Sequence, residues 1–152
     1  VLFERLQKKI LLLDLDPQFN LSQALFTRNE YEKLKKADKT IMSVFEPTAS
    51  PGLFDVKGKS IPLPKPDSLS KAFWHLTKAP AIDLSVIPGD FSLVKYSLMD
   101  DVEQLSSSKK RFLQFVQDAR STYDLICIDC NPSSSFFTLC ALEAYGAESG
   151  AL

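Results

Sequence analysis

Lys8-Lys9-Ile10-Leu11-Leu12-Leu13-Asp14-Leu15-Asp16-Pro17-Gln18 is the stretch on which the reading of this 152-residue chain turns. An unbroken aliphatic run, basic before and acidic after, reads as a strand buried on both faces. Such strands belong to parallel sheets, whose loops at the carboxyl edge form ligand sites. Asp14 ends the run and Asp16 lies just past it. Pro17 has no N–H for a ladder and disfavours a helical Asp16, so the chain turns there. The pattern therefore sets two carboxylates where a sheet meets its ligand.

A second stretch answers the first. Tyr123-Asp124-Leu125-Ile126-Cys127-Ile128-Asp129-Cys130-Asn131-Pro132-Ser133 is again an apolar run closed by an acid and then a proline. Two parallel strands that bring Asp14, Asp16 and Asp129 to one edge make a carboxylate cluster suited to a hard cation such as Mg²⁺.

With these residues in view, Lys9–Gln18 and Asn20-Leu21-Ser22 resemble the hydrophobic run, Asp-x-Asp-Pro-Gln, x-Asn-x-(Ser/Thr) segment of the ParA/MinD group of deviant P-loop ATPases. Pro17-Gln18 resembles the ParA branch, which partitions plasmids and chromosomes. Tyr123–Ser133 is similar to the Walker B segment, and Asp83-Leu84-Ser85-Val86-Ile87-Pro88-Gly89 to the Leu-x-x-Ile-Pro strand. The three fall in the family's order at about its spacing.

The resemblance implies an α/β fold: a three-layer, mostly parallel sheet with flanking helices, P-loop-NTPase-like and incomplete. It implies ATP and Mg²⁺ as cofactors. Asp16 matches the acid that orients the attacking water, Asp129 the Walker B acid that holds the metal, and Asp14 supports that metal edge. Asn131 and Pro132 match positions near the nucleotide. The intact relative is expected to dimerise over ATP, to bind DNA non-specifically, to answer to a ParB-like centromere-binding partner, and to be cytoplasmic with no membrane association.

The sequence departs from the family in two places. The loop Lys-Gly-Gly-Val-Gly-Lys-(Thr/Ser), expected about twenty residues ahead of the first strand, has no counterpart in Val1–Lys8. That loop supplies the N–H cradle and the lysine for the phosphates. Gly58-Lys59-Ser60 is no substitute, because Leu53 stands where a glycine is required and Ile61-Pro62-Leu63-Pro64 forbids the following helix. Past the Walker-B-like helix, Tyr145–Leu152 trails into small and polar residues. The expectation is one incomplete domain over residues 1–152, lacking the Walker A loop and inactive alone. Its exposed sheet edge would favour aggregation; a sharp two-state melt with monomeric elution would contradict that.

A net charge of −1 argues against a global field for nucleic acid or membrane. No apolar run approaches the ~20 residues that span a bilayer. Three cysteines do not make a disulfide framework. Cys127 and Cys130 read as buried packing rather than metal ligands, and His75 as structural or surface. Lys33, Lys35 and Lys36 alternate with acids and read as a solvated face.

Along the chain, Val1–Gln7 reads as the last turns of a helix and Asn20–Phe26 as a short one. Asn29 is expected to cap a helix to Ala37, and Thr40 one to Glu46. Five prolines make residues 47–66 an irregular surface loop. Asp67 opens a helix through Leu76, and Ile82–Ile87 is a strand. Asp90 opens a helix to about Leu105, followed by Ser106–Arg120 with Phe112, Phe115 and Val116 inward. Asp124–Asp129 is the last strand and residues 134–144 the last helix, with Ser133–Ser135 hydroxyls either as its caps or, as the resemblance implies, near the γ-phosphate region.

Three rivals stand beside the ATPase reading. A non-catalytic interaction module would keep the scaffold without the phosphate loop. A nucleotide-sugar transferase would use Asp14-Leu15-Asp16 as a metal-binding Asp-x-Asp, against which Pro17-Gln18 counts. A phospho-acceptor receiver domain would need its acids much closer than Asp14 and Asp129 lie.

Overall fold

Ile10–Asp14 forms the expected strand, β1, with all but Leu12 buried. The computed structural model describes residues 8–46, 62–72, 84–131 and 135–146. β1 lies inside a four-stranded sheet of order β2-β3-β1-β4, with β2 Lys71–Ala72, β3 Leu84–Ile87 and β4 Leu125–Asp129. It pairs in parallel with both neighbours, so Leu13 lies opposite Ile87 and Ile128, and Asp14 opposite Asp129. β2 runs antiparallel to β3. The ladder continues one residue past β1, where the Leu15 N–H donates to the Asp129 carbonyl at 2.7 Å.

Helices cover both faces, as the period-2 alternation of β1 requires. Leu11, Leu13 and Leu15 enter one core with Phe45 of α3 (Met42–Phe45), Tyr96 of α5 (Val94–Ser97), Phe112, Phe115 and Val116 of α6 (Val102–Ala119), and Phe137 and Cys140 of α7 (Phe136–Gly146). Leu12 faces the other way, toward Phe26, Val86 and the helices α1 (Asn20–Leu25) and α2 (Arg28–Lys36). The expected α/β class, a mostly parallel sheet between helical layers, is what the chain adopts.

Several boundaries differ from those expected. Thr27, not Asn29, caps α2: its hydroxyl accepts the Glu30 N–H while the Glu30 carboxylate accepts the Thr27 N–H, a reciprocal box. Thr40 caps nothing, because its hydroxyl donates to Asp90 at 3.3 Å. Over the described residues, the helix expected from Asp67 to Leu76 is a single turn, α4 (Pro66–Leu69), and the chain then joins the sheet edge as β2; residues 73–76 lie outside them. The helix expected from Asp90 to Leu105 breaks into a 3₁₀ turn over Phe91–Leu93 and the short α5. Asp101 then accepts the Gln104 N–H at 3.0 Å and opens one 18-residue helix, four residues ahead of the expected start. The last strand is not buried throughout: Leu125, Cys127 and Asp129 of β4 are exposed on alternate positions. Val1–Gln7, His75, Gly58-Lys59-Ser60 and most of the proline-rich segment lie outside the described residues, as do the first residues of the Ile82–Ile87 strand.

Phe45 is the hub of the larger core. Its ring stacks on Phe112 at 5.2 Å and meets Phe137 edge-on at 5.4 Å. Phe45→Ala is expected to cost about 3–5 kcal/mol in urea unfolding, against about 1 kcal/mol for the surface cap change Thr27→Ala.

Candidate functional site

The site grows from the end of β1. Asp14 is fully buried, and a buried carboxylate must be hydrogen-bonded to persist. Its Oδ2 accepts the Ser22 N–H at 2.9 Å and the Ser22 hydroxyl at 2.6 Å, and its Oδ1 accepts the Asp16 N–H at 3.2 Å. Burial pushes its carboxyl above the ordinary 3.8. The hydrogen bonds from Ser22 and Asp16 oppose that rise, and the charge of Asp129 adds to it.

The loop beyond is a compact turn built on Asp16. The Asp16 carboxylate accepts the Gln18 N–H at 3.0 Å, and its carbonyl accepts the Phe19 N–H at 2.8 Å. Phe19 has φ 42°, a left-handed conformation unusual for a bulky side chain. Its ring stacks on Tyr31 at 5.2 Å and 9°. Asp16 is half-buried and Gln18 exposed, so the turn faces solvent at the carboxyl edge of the sheet.

The loop after β3 closes the site from the other side. The Gly89 N–H donates to the Ser22 hydroxyl oxygen at 2.8 Å, and the Tyr31 hydroxyl donates to the Gly89 carbonyl at 3.1 Å. A Cβ at Gly89 would stand 2.9 Å from both Asp14 Cγ and Phe19 Cβ, so only glycine fits. Asp90, also buried, accepts the Ser92 N–H at 2.8 Å and pairs with Lys35 of α2 at 3.1 Å. Lys35 stays exposed, as the solvated face requires, while its ammonium reaches the buried Asp90. Ser22, Gly89, Asp90 and Tyr31 were not singled out from the sequence as functional. The one available signal was the x-Asn-x-(Ser/Thr) spacing that includes Ser22.

β4 delivers Asp129 opposite Asp14, exposed and with no hydrogen bond to its carboxylate among the described residues. The Asn131 carbonyl accepts the Thr138 hydroxyl at 2.8 Å, joining the chain after β4 to α7. Pro132 lies outside the described residues, as do Ser133 and Ser134; Ser135 does cap α7, accepting the Thr138 N–H at 3.4 Å. Cys127 is exposed and Cys130 half-buried, both free, which corrects the expectation of buried packing. Both sit on or just past a strand whose alternate positions are open to solvent, a property of its place in the sheet that sequence periodicity does not register.

Among the described residues, no group of three or more His, Cys, Asp or Glu could hold a metal. Asp129 ends β4 and Asp16 lies in the turn two residues past the end of β1, and both carry hard carboxylate oxygens. Such a donor set fits Mg²⁺, which binds through one or two carboxylates and completes its shell with water and phosphate oxygens.

Burial alone would raise Asp90, but the hydrogen bonds from Ser92 and Lys35 outweigh it and hold the carboxyl below the ordinary 3.8. A pKa lowered by folding contributes stability above the unfolded value, and that contribution is lost as pH falls through the folded value. Asp90→Asn should therefore lower the urea midpoint by the equivalent of roughly 1–3 kcal/mol at neutral pH. The two proteins should converge as pH drops below 3.8.

The sequence matches a family model described as AAA domain over residues 1–147. No curated protein matches it. Among solved structures, it is similar to the pNOB8 ParA bound to nonspecific DNA, at 24% identity and TM-score 0.57 over 91% of this chain and 42% of that one. A putative plasmid partition protein from Borrelia burgdorferi B31 bound to AMPPNP matches at 20% identity and TM-score 0.58, over 94% of this chain and 50% of that one. Cobyrinic acid a,c-diamide synthase from Mycobacterium smegmatis, with bound ADP and magnesium, matches at 20% identity and TM-score 0.56, over 93% and 46%. The chain thus spans half or less of the length of these solved chains. No helix among the described residues is long and apolar enough to cross a membrane. With the parallel sheet, its in-register acids and a match across nearly the whole sequence, the chain belongs to the AAA-domain family, and its fold is that of the ParA-like P-loop ATPases.

Proposed function

We propose that this chain forms the carboxylate edge of a ParA-like ATPase, whose hydrolysis of ATP–Mg²⁺ drives partition of DNA. The observation that carries the reading is the register of β1 and β4. Asp14 lies opposite Asp129, and the Asp16 turn follows directly at the same edge. In this reading, Asp16 would orient the attacking water and Asp129 would hold Mg²⁺. Bound Mg²⁺ would neutralise charge on the phosphates, the main task in phosphoryl transfer. Asp14 supports the edge from beneath, its two oxygens already taken by Ser22 and Asp16. By the family resemblance, Asn131 and Pro132 would be the residues near the nucleotide, an assignment that for Pro132 rests on the sequence alone.

The 152 residues contain no Lys-Gly-Gly-Val-Gly-Lys loop, and the proposed activity requires such a phosphate cradle beside this edge. The same reading includes dimerisation across ATP, non-specific DNA binding, a ParB-like partner and a cytoplasmic setting. The likeness to ParA bound to nonspecific DNA and to a partition protein bound to AMPPNP supports it.

A second reading, a scaffold without catalysis, is favoured by one feature. α7 exposes Leu139, Leu142 and Tyr145, beside a cavity lined by Val116, Ile126 and Ile128. Exposed apolar surface of this kind marks interaction sites.

Calorimetric titration of ATP–Mg²⁺ decides between them, using this chain and the chain extended upstream in its gene. Binding by the extended chain alone is expected. Asp16→Ala should keep that binding and lower turnover by about 10²–10⁴-fold, while Asp129→Ala should raise the Mg²⁺ requirement. Binding by neither chain would overturn the ATPase reading and leave the scaffold.

A further inference from the structure

The buried side chain that ties the site together is one that the catalytic assignments do not use. Ser22 is fully buried, and its hydroxyl is engaged twice. The O–H goes to Asp14 at 2.6 Å, and a lone pair receives the Gly89 N–H at 2.8 Å. Its backbone N–H goes to the same Asp14 oxygen. One residue of α1 therefore joins the end of β1 to the loop after β3. The other Asp14 oxygen holds the Asp16 N–H, so the backbone position of Asp16 depends on where the Asp14 carboxylate sits.

A second tie runs in parallel. Gly89 is gripped at both its peptide groups, the N–H by Ser22 and the carbonyl by the Tyr31 hydroxyl. Tyr31 carries the stacked ring of Phe19, the residue that completes the Asp16 turn in a left-handed conformation. The turn is thus held from both its ends by groups that converge on Gly89. Packing alone asks nothing of residue 22 beyond a small side chain. The directed hydroxyl is what joins the segments.

We propose that Ser22, working through Asp14 and Gly89, is a positioning residue that sets the Asp16 carboxylate at the sheet edge. The proposal rests on the reading of Asp16 as the group that orients water. Reactions governed by alignment lose rate steeply when a group shifts by a fraction of its bond length. Ser22→Ala removes the hydroxyl and Ser22→Thr keeps it. Gly89→Ala drives a methyl into Asp14 and Phe19 without removing any acceptor of the network.

The first measurement is amide hydrogen exchange on the protein without nucleotide. Ser22→Ala should speed exchange at Asp16, Phe19 and Gly89 by about tenfold or more, while Leu11, Leu12 and Leu13 stay protected. Ser22→Thr should restore slow exchange. In the ATP-hydrolysing form, Ser22→Ala should lower kcat by about a hundredfold with KM for ATP–Mg²⁺ changed by no more than about twofold. Unchanged exchange in the turn, exchange raised equally across β1, or equal losses through KM and kcat would each overturn the proposal. Should Ser22→Ala fail to fold, Gly89→Ala answers the same question, with the same local pattern expected. If the unsubstituted chain extended upstream hydrolyses no ATP, the proposed function fails, and the exchange pattern alone decides whether Ser22 positions the turn.

Discussion

A carboxylate without water has to be supplied with donors, and the organisation of this chain follows from how Asp14 obtains them. An isolated ionised carboxylate in a protein interior is destabilising by far more than a domain's net stability. Asp14 avoids that cost through three donors, two on Ser22 and one on Asp16. Those donors lie in a helix and in a turn, so satisfying one side chain fixes the relative placement of both. The close approach of Gly89 follows as well, since no larger residue fits against Asp14 and Phe19.

The acids at the sheet edge consequently differ in kind although they share a chemistry. Asp14 is buried and fully engaged, Asp16 is half-buried and turned back on its own loop, and Asp129 is exposed. Strand register determines which acid lies beside which, and burial determines which remain accessible to a ligand. The two effects act on different scales. Register is a property of the ladder, whereas accessibility depends on what packs over each strand end.

Asp90 has a comparable role in the loop after β3. It holds the 3₁₀ turn there through Ser92, and it reaches α2 through Lys35. The loop after β3 is thereby tied to the helical layer that also holds the loop after β1, through Ser22 and the stack of Phe19 on Tyr31. The proposed phosphoryl-transfer role would draw on such fixed placement, because positioning and charge neutralisation make up most of that catalysis.

The sequence by itself determined the parallel strands, the acids that end them and the α/β class. Unbroken aliphatic runs such as Ile10–Leu13 leave few alternatives, and proline after an acid marks the turn. It also carried the family likeness, through Asp14-Leu15-Asp16-Pro17-Gln18 and Tyr123–Ser133. Only the tertiary structure decided which residues cap the helices, where the Asp90–Leu105 segment breaks, and that β4 stands half-exposed. Those outcomes depend on partners far away in the chain: Thr40 gives its hydroxyl to Asp90, and Lys71–Ala72 leaves helix for a place on the sheet edge. Ser22 is the plainest case. Only the x-Asn-x-(Ser/Thr) spacing marks this serine in the sequence, and its role exists only because folding brings Asp14 and Gly89 to either side of its hydroxyl.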